Sequence, residues 1–380
     1  MINRDIINTI KKRIQNSNRI VIIYGARQLG KTTLALQIIK DLKLKTLHIN
    51  ADLSKHHDIL SSRDLKKLQD LTEGYDMLFI DEAQRIKDLG VNLKIIHDEL
   101  PDLKLLVTGS SSFDIAYQIS DSLAGRKWVY TMYPLSMHEL RATMNPYEIR
   151  ESLDDFMNYG LYPEVYTTKT KADKIEMLEE IVSSYLYKDV LELSRIRNSI
   201  KIHQLLELLA YRIGSQISIN KLSQELEMSR DAVIHYLDLL EKSFVIFKLQ
   251  GYSKNLSKEV RKKDKYYFYD LGIRNMLIED FRPMEKRQDI GAIWENFVIA
   301  ERIKYLRYQG DRSKFHFWRV YTGGEIDLVE VLGKQINALE IKYSKKTTKP
   351  PKTWTDTYPQ ANYATINRDN FLDFVLKEKS

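Results

Sequence analysis

Gly25-Ala26-Arg27-Gln28-Leu29-Gly30-Lys31-Thr32-Thr33 follows the apolar run of Arg19–Tyr24 and opens a helical pattern over Lys31–Asp41. A loop that wraps an anion with its backbone N–H groups needs glycines, for unusual φ and for close approach. The helix that follows turns its positive end toward the same anion. The spacing G-x-x-x-x-G-K-[ST] therefore reads as strand, phosphate-cradling loop and helix, with Gly25 to Thr33 as the cradle. Lys31 is placed to reach terminal phosphates, and the Thr32 hydroxyl to ligate Mg²⁺.

Working outward, Lys45–Asn50, Met77–Ile80, Lys104–Thr108 and Trp128–Met132 read as further strands, and Leu89–Leu100 as a helix. Strands alternating with helices imply an α/β fold, a parallel sheet covered on both faces. Met77-Leu78-Phe79-Ile80-Asp81-Glu82 ends an apolar strand in two acids. Asp81 is expected to hold Mg²⁺ and Glu82 to polarise the attacking water, so ATP and Mg²⁺ are the expected cofactors. Leu105–Thr108 runs into Gly109-Ser110-Ser111, where Thr108 and Ser110 are candidates for sensing the γ-phosphate. Arg126 precedes the next strand and is a candidate finger on its own or a neighbouring subunit's nucleotide.

The 380 residues suggest two or three domains. The chain has no cysteine, which excludes disulfides and thiolate chemistry. No apolar run reaches the ~18 residues of a spanning helix, so no membrane partner is expected. Met1–Arg19 reads as a basic surface helix rather than a leader, and a cytoplasmic location follows. The net charge is +7, unevenly spread. Residues 1–250 carry 34 Lys+Arg and 34 Asp+Glu, and residues 251–380 carry 25 and 18. The excess in the last third hints at a polyanionic partner.

In the middle, Ile202–Tyr211, Lys221–Leu226 (capped by Asn220), a turn at Met228 and Arg230–Leu240 (capped by Ser229) read as helices. With the strand Phe244–Leu249 they form a winged helix-turn-helix pattern that turns Arg230, Asp231 and His235 to a major groove. The acids Asp231, Asp238 and Glu241 oppose phosphate contact there. Near the C-terminus, Glu325–Lys342 reads as a hairpin turning at Gly333-Lys334. That turn sets Asp327 opposite Glu340 and Glu325 opposite Lys342, all on one face. Opposed carboxylates repel unless a cation lies between them, and the apolar flanks imply burial, which demands partners. Basic runs at Lys258–Lys265 and Lys345–Lys352 flank the hairpin.

Together these residues resemble the AAA+ superfamily. More narrowly, the chain resembles a prokaryotic family that joins an AAA-type ATPase to a C-terminal domain of unknown function. The matching stretches are Gly25–Leu34, Phe79–Gln84, Val107–Phe113, Ser122–Ser136, Gly160–Glu164, Tyr267–Asn275 and Glu325–Ser344. The resemblance implies an AAA+-type P-loop parallel sheet of five strands (1–140), a helical lid or linker (141–195), a winged helix-turn-helix (196–255) and a restriction-endonuclease-like α/β domain (256–380). Asp327 followed by Glu340-x-Lys342 resembles the PD-(D/E)xK nuclease superfamily. By that resemblance Asp327 and Glu340 bind Mg²⁺ or Mn²⁺, Lys342 activates water, and Glu295 joins from the first helix. The implied function is an AAA+ ATPase acting on DNA rather than RNA, with a Mg²⁺-dependent nuclease-like C-terminal domain. The alternative is an ATP-gated switch or scaffold that binds nucleic acid or a protein without cleaving. AAA+ relatives are often rings, so a homo-oligomer is an expected arrangement.

Overall fold

The computed structural model describes residues 2–109, 123–186, 199–253, 263–320, 323–344 and 346–376. Ser110, Lys345 and most of the run Lys258–Lys265 lie outside the described residues. The chain divides into two compact units. One is built on residues up to Tyr133, and the other starts at Pro134, except that Lys242–Phe244 goes with the first.

The first unit is a five-stranded sheet of β1 (Ile20–Tyr24), β2 (Thr46–Asn50), β3 (Met77–Asp81), β4 (Lys104–Gly109) and β5 (Lys127–Thr131). Its order is β2-β3-β4-β1-β5, and every neighbouring pair is parallel. All five residues of β1 and of β3 are buried. Such continuous apolar strands are what a parallel sheet covered on both faces requires. On one face Ile22, Leu78, Ile80 and Val107 pack with Leu93 and Ile96 of the helix Leu89–Glu99. The register aligns Tyr24 with Gly109 and Asn50 with Asp81. Gly25, Asp81 and Thr108 are thereby delivered to the same edge of the sheet. The expected N-terminal helix is Ile7–Asn16, which buries Ile7, Ile10 and Ile14 on one side.

The second unit holds a six-stranded mixed sheet. Its strands are β6 (Ile246–Gly251), β7 (Lys265–Phe268), β8 (Lys314–Arg319), β9 (Glu325–Leu332), β10 (Gln335–Ile341) and β11 (Asn362–Ile366). The order is β11-β10-β9-β8-β6-β7. β8, β9 and β10 form an antiparallel meander, and β11 lies parallel to β10. The β9–β10 hairpin has the expected register, with Leu332 opposite Gln335 and Leu328 opposite Leu339. Gly333 takes φ +60° at the turn. The helices Ser199–Tyr211, Ile219–Glu225 and Arg230–Lys242 precede β6. Ser229 caps the third as expected, its hydroxyl oxygen accepting the Ala232 N–H at 3.1 Å. The second is capped by Ser218 rather than Asn220, because the helix begins one residue before Asn220. β6 and β7 join the same sheet as β8–β11, so the sheet runs across residue 255.

Two stretches singled out by the family resemblance meet inside this unit. Asp270 caps the helix Leu271–Leu277 and also accepts the Leu161 N–H at 2.6 Å. Burial pushes its carboxyl above the usual range, opposed by these backbone donors. Asn275 donates to the carbonyls of Met157 and Asn158, both at 2.9 Å. The approach is close enough that a Cβ on Gly160 would lie 2.0 Å from Asp270 Oδ1, and one on Gly272 would lie 2.1 Å from the Tyr159 carbonyl oxygen.

A backbone oxygen cannot step aside as a side chain can. Gly272→Ala is therefore expected to lower unfolding stability by about 3 kcal/mol, the upper range for overpacking. Gly291→Ala, with nothing within 4 Å of its Cβ, is expected to be neutral or stabilising by up to ~1 kcal/mol. Urea midpoints of the two variants check this, and equal midpoints would contradict the close packing.

Candidate functional site

The loop after β1 adopts the backbone that its glycines permit. Gly25 has φ +152°, Gly30 has φ +83° and caps the helix Lys31–Leu42, and Gln28 also lies in the left-handed region at φ +59°. Ala26 and Leu29 are buried, Arg27 and Gln28 half-buried, and Thr33 exposed. Lys31 is buried, and its ammonium donates to the carbonyls of Gly25 (3.0 Å) and Ala26 (2.8 Å). The lysine thus sits over the loop whose N–H groups would meet an anion.

Asp81, buried at the end of β3, is the hub of the site. It accepts the Thr32 hydroxyl at 2.9 and 3.1 Å and, through Oδ1, the Thr108 hydroxyl. Thr108 Oγ1 in turn accepts the Glu82 N–H at 3.2 Å. A hydroxyl and a carboxylate this close are hard oxygen donors that suit Mg²⁺, which keeps waters for its remaining positions. Glu82 sits beside them with φ 53° and ψ 43°, a left-handed conformation rare for glutamate. Thr32, Lys31, Asp81, Glu82 and Thr108 are therefore brought together.

Arg126 is not. It sits just before the first residue of β5, at the end of the sheet where Ile20 pairs with Lys127. The cradle lies at the other end, roughly 16 Å along the strand. Arg126 grips Asp98 with Nε and Nη2 at 2.8 and 3.0 Å. These hydrogen bonds, with one from His97, hold the Asp98 carboxyl down at about 2. Action on its own nucleotide is excluded by that placement.

The second candidate site lies in the second unit, on β7, β9, β10 and the helix Ile290–Tyr308. Lys342 Nζ lies 2.5 Å from Glu340 Oε1 and 3.9 Å from Asp327 Oδ2. Asp327 Oδ2 also accepts the Ile341 N–H at 2.8 Å. Glu340 Oε2 is buried with no hydrogen-bond partner. Glu325 does not go to Lys342. It pairs at 2.8 Å with Lys265, a buried lysine on β7 that the sequence reading did not single out. Glu295 also turns to β7, accepting the Tyr267 hydroxyl at 2.5 Å and lying 3.4 Å from Lys265 Nζ. The available signal was strand periodicity: Lys265 and Tyr267, two apart, share one face.

The electrostatics of this cluster are those of too few cations. Burial, with Asp327 adding to it, pushes Glu295 up to about 7. Burial likewise raises Asp327, and burial followed by the charge of Asp327 raises Glu340. Burial would lower Lys265, but Glu295 and Glu325 outweigh it and hold the ammonium protonated. Two carboxylates, one with an orphaned oxygen, fit a hard cation completed by water. Among the described residues no three histidine or acidic side chains converge on a metal-sized position. Glu295 is engaged by Lys265 and Tyr267 and feels the charge of Asp327.

Residues 17–141 match the family model of an AAA domain. The first unit is an ATPase domain of the AAA, P-loop type. Residues 150–283 and 290–370 match two further models, each described as a domain of unknown function. An uncharacterized protein of Methanocaldococcus jannaschii is 29% identical over 351 residues, covering 87% of this chain and 76% of its own. One of Mycobacterium tuberculosis is 26% identical over 326 residues, covering 85% and 70%. Among solved structures, the Walker-type ATPase of Pyrococcus abyssi is similar at 15% identity and a TM-score of 0.49, over 73% of this chain and 96% of that one. Among the described residues no helix is long and apolar enough to cross a membrane.

A Cβ on Gly25 would lie 2.3 Å from the Met132 carbonyl oxygen, itself fixed by the Met132 N–H bond to Tyr24 at 2.6 Å. Gly25→Ala is expected to weaken ATP binding at least tenfold, read by titration with a fluorescent ATP analogue. Unchanged affinity would show that the cradle tolerates a side chain there.

Proposed function

We propose that the chain hydrolyses ATP at the first site and that the second unit acts on DNA, cutting its backbone at Asp327, Glu340 and Lys342. Residues 25–33 bind the phosphates, with the Lys31 ammonium on the terminal ones. Thr32 and Asp81 would hold Mg²⁺, which would supply charge neutralisation on the phosphates. Glu82 takes the proton of the attacking water, and Thr108 fixes Asp81 and Glu82 relative to each other. Arg126, remote from the cradle of its own chain, is assigned to the nucleotide of a neighbouring copy.

For the second unit, the single observation that carries the reading is the orphaned Glu340 oxygen beside Asp327 and Lys342. Asp327 and Glu340 would hold Mg²⁺ or Mn²⁺, which supplies Lewis-acid polarisation of the phosphodiester. Lys342 orients the attacking water and meets the charge that develops on phosphorus-bound oxygen. The positive excess of residues 251–380 supports a DNA partner. The helices Ser199–Tyr211 to Arg230–Lys242, followed by β6 and β7, support a winged helix. Its third helix presents Asp231 beside Arg230 and His235, so backbone contact is assigned to the C-terminal third instead.

The second reading is binding without cleavage. It is favoured by Lys265 and Lys342, which already pair with all four carboxylates of the cluster.

Glu82→Gln is expected to bind ATP while turnover falls at least a hundredfold, the usual scale for a general base. Normal turnover in that variant would remove Glu82 from its role. Incubating the protein with linear, circular and single-stranded DNA, and with RNA, in Mg²⁺ or Mn²⁺ decides the rest. Metal-dependent cleavage that is lost in Asp327→Ala and Lys342→Ala, with ATPase intact, is the expected result. Binding without cleavage on every substrate establishes the second reading.

A further inference from the structure

Glu82 is held more firmly than a general base on a loop needs to be. Its backbone is left-handed, a strained state that persists only where neighbours enforce it. On one side the Thr108 hydroxyl receives its N–H at 3.2 Å. On the other, Arg85 in the same turn lies 3.3 Å from Asp52, and the Ala51 N–H bonds to the Asp81 carbonyl at 2.9 Å. The turn is thus pinned to the ends of both β2 and β4.

The side chain is held as well. Gln84 lies in the short helical turn Ala83–Arg85, and its Nε2 donates to Glu82 Oε2 at 2.5 Å. A carboxylate can only accept, so the amide nitrogen must face it. Both side chains are half-buried, where a hydrogen bond to a charged group counts for more than it does in water.

We infer that Gln84 is a positioning residue for ATP hydrolysis, fixing one oxygen of the Glu82 carboxylate so that the other is presented to the attacking water. The inference rests on the reading of Glu82 as the base.

The test is steady-state ATP hydrolysis by the full chain as a function of ATP concentration, for Gln84→Ala, Gln84→Glu and Glu82→Gln. Gln84→Ala is expected to lower kcat about tenfold, the loss of one charge-assisted hydrogen bond, with KM within about twofold. The loss is expected in kcat alone, with the affinity for a fluorescent ATP analogue unchanged, which a general packing defect would not produce. Gln84→Glu keeps the shape, removes the donor and adds a like charge, so it is expected to be at least as slow. Wild-type kcat in either variant, an increase in kcat, or a loss carried by KM rather than kcat overturns the inference. If Glu82→Gln itself turns over normally, the reading of Glu82 fails and this inference falls with it. If Glu82→Gln is inactive and Gln84→Ala is normal, only the inference about Gln84 fails.

Discussion

A carboxylate taken out of water must be met by hydrogen-bond donors or by cations, and both candidate sites are built around that requirement. In the first unit Asp81 meets it with hydroxyls. Thr32 arrives from the helix after β1 and Thr108 from the end of β4, so one buried acid ties three neighbouring elements to a common point. The parallel register makes this possible, because it brings the ends of β1, β3 and β4 to one edge. In the second unit the requirement is met only in part. Four carboxylates share Lys265 and Lys342, with Arg319 reaching Glu325 at 3.7 Å, and one oxygen of Glu340 is left without a partner.

The first unit was legible because its signals are local. A glycine-rich loop between an apolar strand and a helix, and an apolar strand ending in Asp81-Glu82, each carry their meaning within about ten residues. The five strands fall where the alternating pattern places them. The β9–β10 hairpin was legible for a similar reason: a two-residue turn fixes every pairing behind it. What stayed hidden depends on long-range partners. Lys265 reads as part of a basic run, yet its side chain is buried between Glu295 and Glu325, respectively 30 and 60 positions further along. Arg126 precedes a strand, but nothing local says that this is the strand end remote from the loop. Gln84 carries no local signal, since its role comes from the left-handed turn at Glu82.

The stretches Gly160–Glu164 and Tyr267–Asn275 divide between structure and site. Gly160, Asp270, Gly272 and Asn275 form a packing joint in which Gly160 meets the Asp270 carboxylate, and Gly272 the Tyr159 carbonyl, too closely for any side chain. Tyr267, at the head of the second stretch, instead donates to Glu295 in the acidic cluster. A short run of residues can thus be constrained for two unrelated physical reasons, close packing at one end and charge compensation at the other.

The six-stranded sheet has a mechanical meaning. Because β6 pairs with β8 on one side and with β7 on the other, the strands that follow the three-helix segment also complete the sheet that carries Asp327 and Glu340. Hydrogen-bonded strands shear and bend as one plate. The strand that leaves the three helices therefore meets the sheet of the acidic hairpin directly, with Gln250 and Gly251 paired to His316 and Phe317. Neither part could be borrowed as a separate cassette without leaving a raw sheet edge on the other.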